Sequence, residues 1–250
     1  MILHPDFLCL PVAHRALHDR AAGRVENSRA AIRAAITAGY GVEIDLQLSS
    51  DNVPMVFHDD VLDRLTGETG PVRARTAAAL CAIPLTDGDE GMPTFAEVLD
   101  IVAGQVPLLV EIKDQTPFDG TLERATARAL GGYDGPVAVM GFNPETVVLM
   151  AGLAPRIPRG ITTCDYAPTD WPTLSKDACA RLRGIPDYHR AGASFISHQA
   201  LDLDNPRVAE LKSQGAAILC WTIRSAEAEA AARRVADNVT FEGYAAVIPA

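Results

Sequence analysis

Four short segments of this 250-residue chain carry the residues that could do chemistry. Val42-Glu43-Ile44-Asp45-Leu46 sets two carboxylates two positions apart, and Val110-Glu111-Ile112-Lys113 pairs a carboxylate with an amine at the same spacing. His14-Arg15 and His58-Asp59 each set an imidazole beside a charge. Side chains alternate across a β-strand, so Glu43 and Asp45 share one face while Val42, Ile44 and Leu46 take the other. Taken alone, that pattern fits a half-exposed strand with a solvated polar face. Its recurrence at the ends of Val12-Ala13-His14-Arg15 and Val110-Glu111-Ile112-Lys113 points to one shared cleft. Glu43, Asp45 and Glu111 in one cleft repel one another unless a cation or protons neutralise them. A divalent, oxygen-loving ion, Mg2+ or Ca2+, is the natural occupant. His14 and His58 can act as acid and base in one cycle, because imidazole titrates near neutrality. Arg15 and Lys113 supply fixed positive charge that suits phosphate oxygens. Together these groups describe phosphoryl transfer or phosphodiester cleavage.

Such residues need a scaffold that brings strand ends together. Short β-rich runs alternate with Ala-rich helical stretches along the chain, the pattern of βα units around a parallel sheet. Candidate strands lie near residues 8–15, 41–48, 107–113, 136–142, 159–164, 193–198, 217–223 and 244–248. Helix starts are marked by Thr94-Phe95-Ala96-Glu97, a capping box, by Asn143-Pro144 and Asn205-Pro206, and by Ser225; Gly39 and Gly104 mark ends. Eight βα units close into a (β/α)8 TIM barrel, so the expectation is an α/β fold with a single catalytic domain over residues 1–250. Polar residues at strand C-terminal ends would then converge on its mouth. The interval between Leu48 and Pro107 is too long for one βα connection and implies a small insertion at about 59–92, after the second strand. The strand-like run at 53–58 is the rival for the eighth barrel position; if it takes that place, 244–248 drops out.

Composition narrows the partners. The chain is 48% apolar, 22% charged and 6% aromatic, as in a soluble globular domain. Its net charge of -10 repels nucleic acid and anionic membrane surfaces. A small anionic ligand stays compatible, because a few cations can set the sign inside a cleft. The five cysteines show no metal-ligand or CxxC spacing and read as reduced core residues. With no signal-peptide pattern and no membrane-length apolar run, the sequence reads as cytoplasmic, without a membrane anchor. A homo-oligomer is compatible with it.

On these residues the chain resembles the glycerophosphodiester phosphodiesterase family along nearly its whole length. His14-Arg15-Ala16 stands where the family has His-Arg-Gly, and Val25-Glu26-Asn27-Ser28 where it has Pro-Glu-Asn-Thr. Glu43-x-Asp45, His58-Asp59, Leu62-Asp63-Arg64 with Thr69-Gly70, Pro93-Thr94, Glu111-x-Lys113 and Trp221-Thr222 follow in order. Each pattern is weak alone; their joint order and spacing is specific. The resemblance implies a phosphodiesterase-type barrel with a divalent ion on Glu43, Asp45 and Glu111. It makes His14 and His58 the catalytic pair and gives the phosphate to Arg15 and Lys113. Ala16 for Gly, Ser28 for Thr, Val25 for Pro and Arg224 for a frequent Asn are departures, none of which removes a catalytic group.

The implied reaction is hydrolysis of a small-molecule glycerophosphodiester to glycerol 3-phosphate and an alcohol. Phe142 and Trp221 are candidates for an apolar wall against the substrate, with ordinary packing as the alternative. Glu26 and Asn27 begin the first helix after the His14 loop, where capping by Asn27 competes with an active-site hydrogen bond. Asp59 is expected to orient groups around His58. Rival readings are a lysophospholipid-directed phosphodiesterase, a non-catalytic barrel that holds a phosphorylated metabolite, and a Schiff-base aldolase using Lys113. A zinc amidohydrolase is disfavoured by the absence of His-x-His.

Overall fold

Aliphatic and β-branched runs build one sheet in the structure, a computed structural model that describes residues 2–249. Its strands are β1 (Val12–Ala13), β2 (Gly41–Leu48), β3 (Pro54–Val56), β4 (Leu108–Ile112), β5 (Val137–Gly141), β6 (Arg159–Thr163), β7 (Phe195–Gln199), β8 (Ala217–Ile223) and β9 (Asn238–Phe241). The order β1-β9-β8-β7-β6-β5-β4-β2, closed by a β1–β2 pairing, is a ring of eight parallel strands. The helices are α1 (Asp6–Cys9), α2 (Arg29–Ala38), α3 (Ala77–Ala82), α4 (Phe95–Val102) and α5 (Thr121–Leu130), then α6 (Pro144–Leu153), α7 (Lys176–Arg183), α8 (Pro206–Ser213) and α9 (Ala226–Ala232). Every consecutive pair of ring strands is joined through a helix, which makes the fold a (β/α)8 barrel.

Local chemistry explains the helix ends. Ser28, Thr94, Ser175 and Ser225 each accept a backbone N–H three residues on, while Asn143 and Asn205 cap one residue before a proline-led first turn. The expected capping box at α4 is only half formed, because Glu97 gives its carboxylate to Arg29 at 2.5 and 2.7 Å.

Three sequence expectations are corrected. The eighth ring strand is Asn238–Phe241, not 244–248. Its inward side chains are polar, which hid it: Asn238 donates to the Phe7 and Leu10 carbonyls at the base of the barrel. The apolar 244–248 run lies outside, where the Tyr40 hydroxyl holds the Ala246 carbonyl at 2.7 Å. The 53–58 run does contain a strand, but β3 pairs antiparallel with β2 and stands outside the ring, so the two segments were never rivals for one place. Cys9, at the end of a four-residue helix whose Phe7 takes the core position, is exposed; Cys164, Cys179 and Cys220 are buried.

Two apolar layers carry the scaffold. Between ring and helices lies the main core, including Ile32, Val42, Ile44, Val98, Val110 and Ile196. Inside the ring, Leu3, Phe7, Val12, Leu109, Ala138, Met140, Phe195 and Leu219 fill the lower half and leave the upper half to polar groups. The β2-to-β4 connection holds a smaller cluster of its own around Met55, Phe57, Leu62, Leu80 and Met92. Among the described residues no helix is long and apolar enough to cross a membrane.

Candidate active site

Strand register decides which side chains meet. Glu111 pairs with Asp45 on one side and Met140 on the other, so all three face inward. One layer of the barrel interior comes from the alternate ring strands β2, β5, β7 and β9, as Glu43, Met140, Ser197 and Thr240. These four line a cavity of ≈ 170 Å³ together with His14, Arg15, Asp45, His58, Glu111, Lys113, Phe142, Trp221, Thr222 and Arg224. Lys113, Phe142 and Arg224 each directly follow a strand, so the cavity opens at the strand C-terminal ends. A wider groove of ≈ 650 Å³ between α4 and α5 is lined by alanines, glycines, Tyr133 and two aspartates, without a histidine or cation.

Glu43, Asp45 and Glu111 are buried, and one oxygen from each can lie within 4.8 Å of the others. Burial together with the charges of Asp45 and Glu111 pushes the Glu43 carboxyl well above the usual carboxylate range. Burial also works against a charged Asp45, but the positive charge of Lys113, with His58 and Arg15, more than reverses it and holds Asp45 low. Lys113 is where the balance is struck: its Nζ lies 2.7 Å from Asp45 and 2.5 Å from Glu111. An ammonium stands at the junction of the carboxylates. The donor set therefore fits a hard divalent cation, being all carboxylate oxygen and already drawing a positive charge among its members.

Arg15 turns toward the same cluster. Its backbone N–H donates to Glu43 at 2.7 Å and its guanidinium to Glu26 at 2.7 Å. The turn requires a left-handed backbone at Arg15 and Ala16, with φ of 52° and 64°, so the alanine carries strain of about 1–2 kcal/mol that a glycine would not. Asn27 is not the helix cap, a place taken by Ser28; its side-chain amide donates to Asp45 at 2.8 Å.

His14 and His58 are each held by a carboxylate that an arginine holds in turn. Asp59 accepts from His58 Nδ1 at 2.7 Å, and Arg64 grips Asp59 at 2.7 and 3.0 Å while also reaching Glu26. On the other side Glu242 accepts from His14 Nδ1 at 2.6 Å, and Arg224 grips the second oxygen at 2.8 Å. With Nδ1 donating to a carboxylate, Nε2 is the nitrogen left for chemistry in both rings. Burial and the charges of Lys113 and Arg15 favour the neutral form of His58, with Asp45 opposing.

Sequence reading missed Glu242, and the misplaced last strand is the reason. Once β9 ends at Phe241, Glu242 stands directly after a ring strand, as His14 does after β1. It also missed Tyr166 and Trp171, which extend the aromatic group: Phe142 meets Trp221 edge-on at 5.6 Å and Trp171 at 5.2 Å. Trp221 is fixed by its indole N–H, which donates to the Ser197 carbonyl at 2.9 Å.

The His14 hydrogen bond, reinforced by His18 and Arg224 against the opposing effect of burial, holds the Glu242 carboxyl far below its usual range. A depressed folded-state pKa stabilises the fold above the unfolded value and loses that contribution as pH falls. The melting-temperature advantage of the native chain over Glu242→Gln is therefore expected to be full above the ordinary glutamate pKa of about 4.3 and to shrink as the pH is lowered. Thermal melts across that range check it; an advantage independent of pH would contradict the assignment.

A family model described as the glycerophosphoryl diester phosphodiesterase family matches residues 14–240. Bacillus subtilis YhdW, which bears a provisional glycerophosphodiester phosphodiesterase name, is 25% identical over 224 residues, 86% of each chain. Human glycerophosphodiester phosphodiesterase 1 is 34% identical over 108 residues, 39% of this chain and 31% of that protein. An Oleispira antarctica phosphodiesterase, solved with its product sn-glycerol-3-phosphate, superposes with a TM-score of 0.77 at 22% identity, covering 94% of this chain and 93% of that one. The Thermotoga maritima glycerophosphodiester phosphodiesterase structure gives 0.71 at 21% identity, with 93% and 94% covered.

Proposed function

Since this chain belongs to the glycerophosphoryl diester phosphodiesterase family, a class of hydrolases, we propose that it cleaves glycerophosphodiesters to glycerol 3-phosphate and an alcohol with the aid of Mg2+ or Ca2+. The observation that carries the reading is the meeting, in one cavity, of three carboxylates, two cations and two histidines each backed by a carboxylate.

Glu43, Asp45 and Glu111 would hold the divalent ion, which when bound supplies positive charge against the phosphodiester oxygens. Arg15 and Lys113 add charge to the same side of the cavity and favour the more negative transition state. One histidine takes the proton of the attacking hydroxyl and the other gives a proton to the leaving alkoxide. The neighbouring hydroxyl of the glycerol unit can be that nucleophile, held beside the phosphorus. A cyclic phosphate then forms, and water opens it with the histidine roles exchanged. Asp59 and Glu242 fix the ring orientations, and Phe142 and Trp221 wall the substrate.

The test is release of glycerol 3-phosphate from glycerophosphocholine and glycerophosphoethanolamine by chelator-stripped protein, with and without Mg2+ or Ca2+. Release restored by an added ion is the expected result. No release with either ion by folded protein would sink the proposal and leave a binding role.

A further inference from the structure

Arg64, in the β2-to-β4 connection, takes no part in the proposed steps, yet all three guanidinium nitrogens are committed to two carboxylates. Nε and one Nη donate to Asp59 at 2.7 and 3.0 Å, and the two Nη groups donate to Glu26 at 2.9 and 2.8 Å. Asp59 in turn holds His58 Nδ1, and Glu26 holds the Arg15 guanidinium through the oxygen that also receives one of the Arg64 bonds. A continuous path, His58–Asp59–Arg64–Glu26–Arg15, thus joins an imidazole to a cation of the same cavity. Burial works against charge on both Glu26 and Asp59, and the bonds from Arg64 are the largest influence that reverses it, so both carboxyls lie below their ordinary values.

The ends of that path belong to different parts of the fold. Arg15 and Glu26 lie between β1 and α2, whereas His58, Asp59 and Arg64 follow β3, outside the ring, in a connection with its own apolar cluster. Parallel register aligns Asp45 and Glu111 within the ring, but His58 comes from outside it. Isolated surface ion pairs contribute little; a planar guanidinium that grips two carboxylates at once fixes their separation and angle. The plain alternative is that Arg64 pins the connection to the barrel. That task has other holders: Val25 is buried in the apolar cluster, the Arg29 backbone N–H donates to Glu90 at 3.1 Å, and the Arg29 guanidinium donates to the Gly91 carbonyl at 2.7 Å. We propose that Arg64 is a positioning residue that sets His58 and Arg15 in register with each other, acting through Asp59 and Glu26. The inference rests on the glycerophosphodiesterase reading and deepens it, because proton transfer and phosphate binding are then held in one frame by a side chain that does not line the cavity.

A double-mutant cycle on Glu26→Gln and Asp59→Asn tests the bridge, because these side chains share Arg64 and no hydrogen bond with each other. Two quantities are measured in saturating Mg2+: kcat/KM for glycerophosphocholine, and calorimetric affinity for glycerol 3-phosphate. Either substitution breaks the bridge and the second cannot break it again. The double loss should therefore fall short of the product of the single losses by about threefold or more, in both quantities. In an Arg64→Met background there is no bridge to lose, and two carboxylates face each other without their cation, so the double loss should equal or exceed the product. If Arg64→Met does not fold, Arg64→Lys, which keeps the charge but lacks the fork, takes its place and should shrink the shortfall. Losses that multiply with Arg64 in place refute the bridge and leave Arg64 as a pin. Single variants that lose nothing refute it as well, and so does a shortfall that persists unchanged without Arg64. A native protein that hydrolyses glycerophosphocholine while the losses multiply keeps the reaction and loses the bridge. One that hydrolyses no glycerophosphodiester, yet shows the shortfall in glycerol 3-phosphate affinity, loses the reaction and keeps the bridge.

Discussion

His14→Ala and His58→Ala are each expected to lower kcat for glycerophosphocholine by about 10²- to 10⁴-fold in folded protein, the usual worth of a general acid or base. Both imidazoles line the cavity, and both have Nδ1 committed to a carboxylate, at 2.6 Å for Glu242 and 2.7 Å for Asp59. The two losses should differ when the leaving group is changed. A 4-nitrophenolate departs without a proton, so the variant lacking the acid recovers much of its rate on a glycerophosphonitrophenyl ester, whereas the variant lacking the base does not. Steady-state kinetics on the two esters would thus name the acid. Full activity in either variant, on the alkyl ester, would remove that histidine from the chemistry.

Lys113→Met should destabilise the metal-free protein by about 3–5 kcal/mol, the cost of leaving buried charge without its partner. Asp45 and Glu111 each hold Lys113 within hydrogen-bond distance, and the Lys113 side chain is only 16% exposed. Methionine removes the cation, keeps the bulk, and leaves three carboxylates facing one another. Added Mg2+ or Ca2+ should return most of the loss, since a ligand of the folded state alone stabilises it by mass action. Chemical denaturation with and without the ion reads both effects. A metal-free variant as stable as the native chain would show that Lys113 is not the counter-charge of the cluster.

The ring and the inward carboxylates were legible because each depends on a local pattern: period-two alternation in Val42 to Leu46, a cap before a helix, a charge at the end of an apolar run. What was not legible depends on the third dimension. Asn238 and Thr240 look like loop residues until the barrel gives polar side chains an interior to face, and Glu242 becomes visible only when the strand before it is placed. Lys113 was legible as a cation but not as the neighbour of Asp45, because that contact joins β2 to the segment just after β4 across 68 positions of sequence, as the Gln115–Gln47 hydrogen bond does. The Asn27 alternatives were separated by two side-chain bonds, the Ser28 hydroxyl accepting from the Ala31 N–H and the Asn27 amide donating to Asp45.

The ring closes through its smallest member. β1 offers Val12 and Ala13 alone, held on one side by Gly41 and Val42 and on the other by Thr240 and Phe241. His14 and Glu242 are 228 positions apart and meet only across that seam. In refolding, the helices and the contiguous β4-to-β8 arc can form from neighbours in sequence, but the seam must wait for the two ends of the chain. Catalytic competence should therefore be the last property to return after dilution from denaturant, lagging the far-ultraviolet signal, and the first to go when the ends fray.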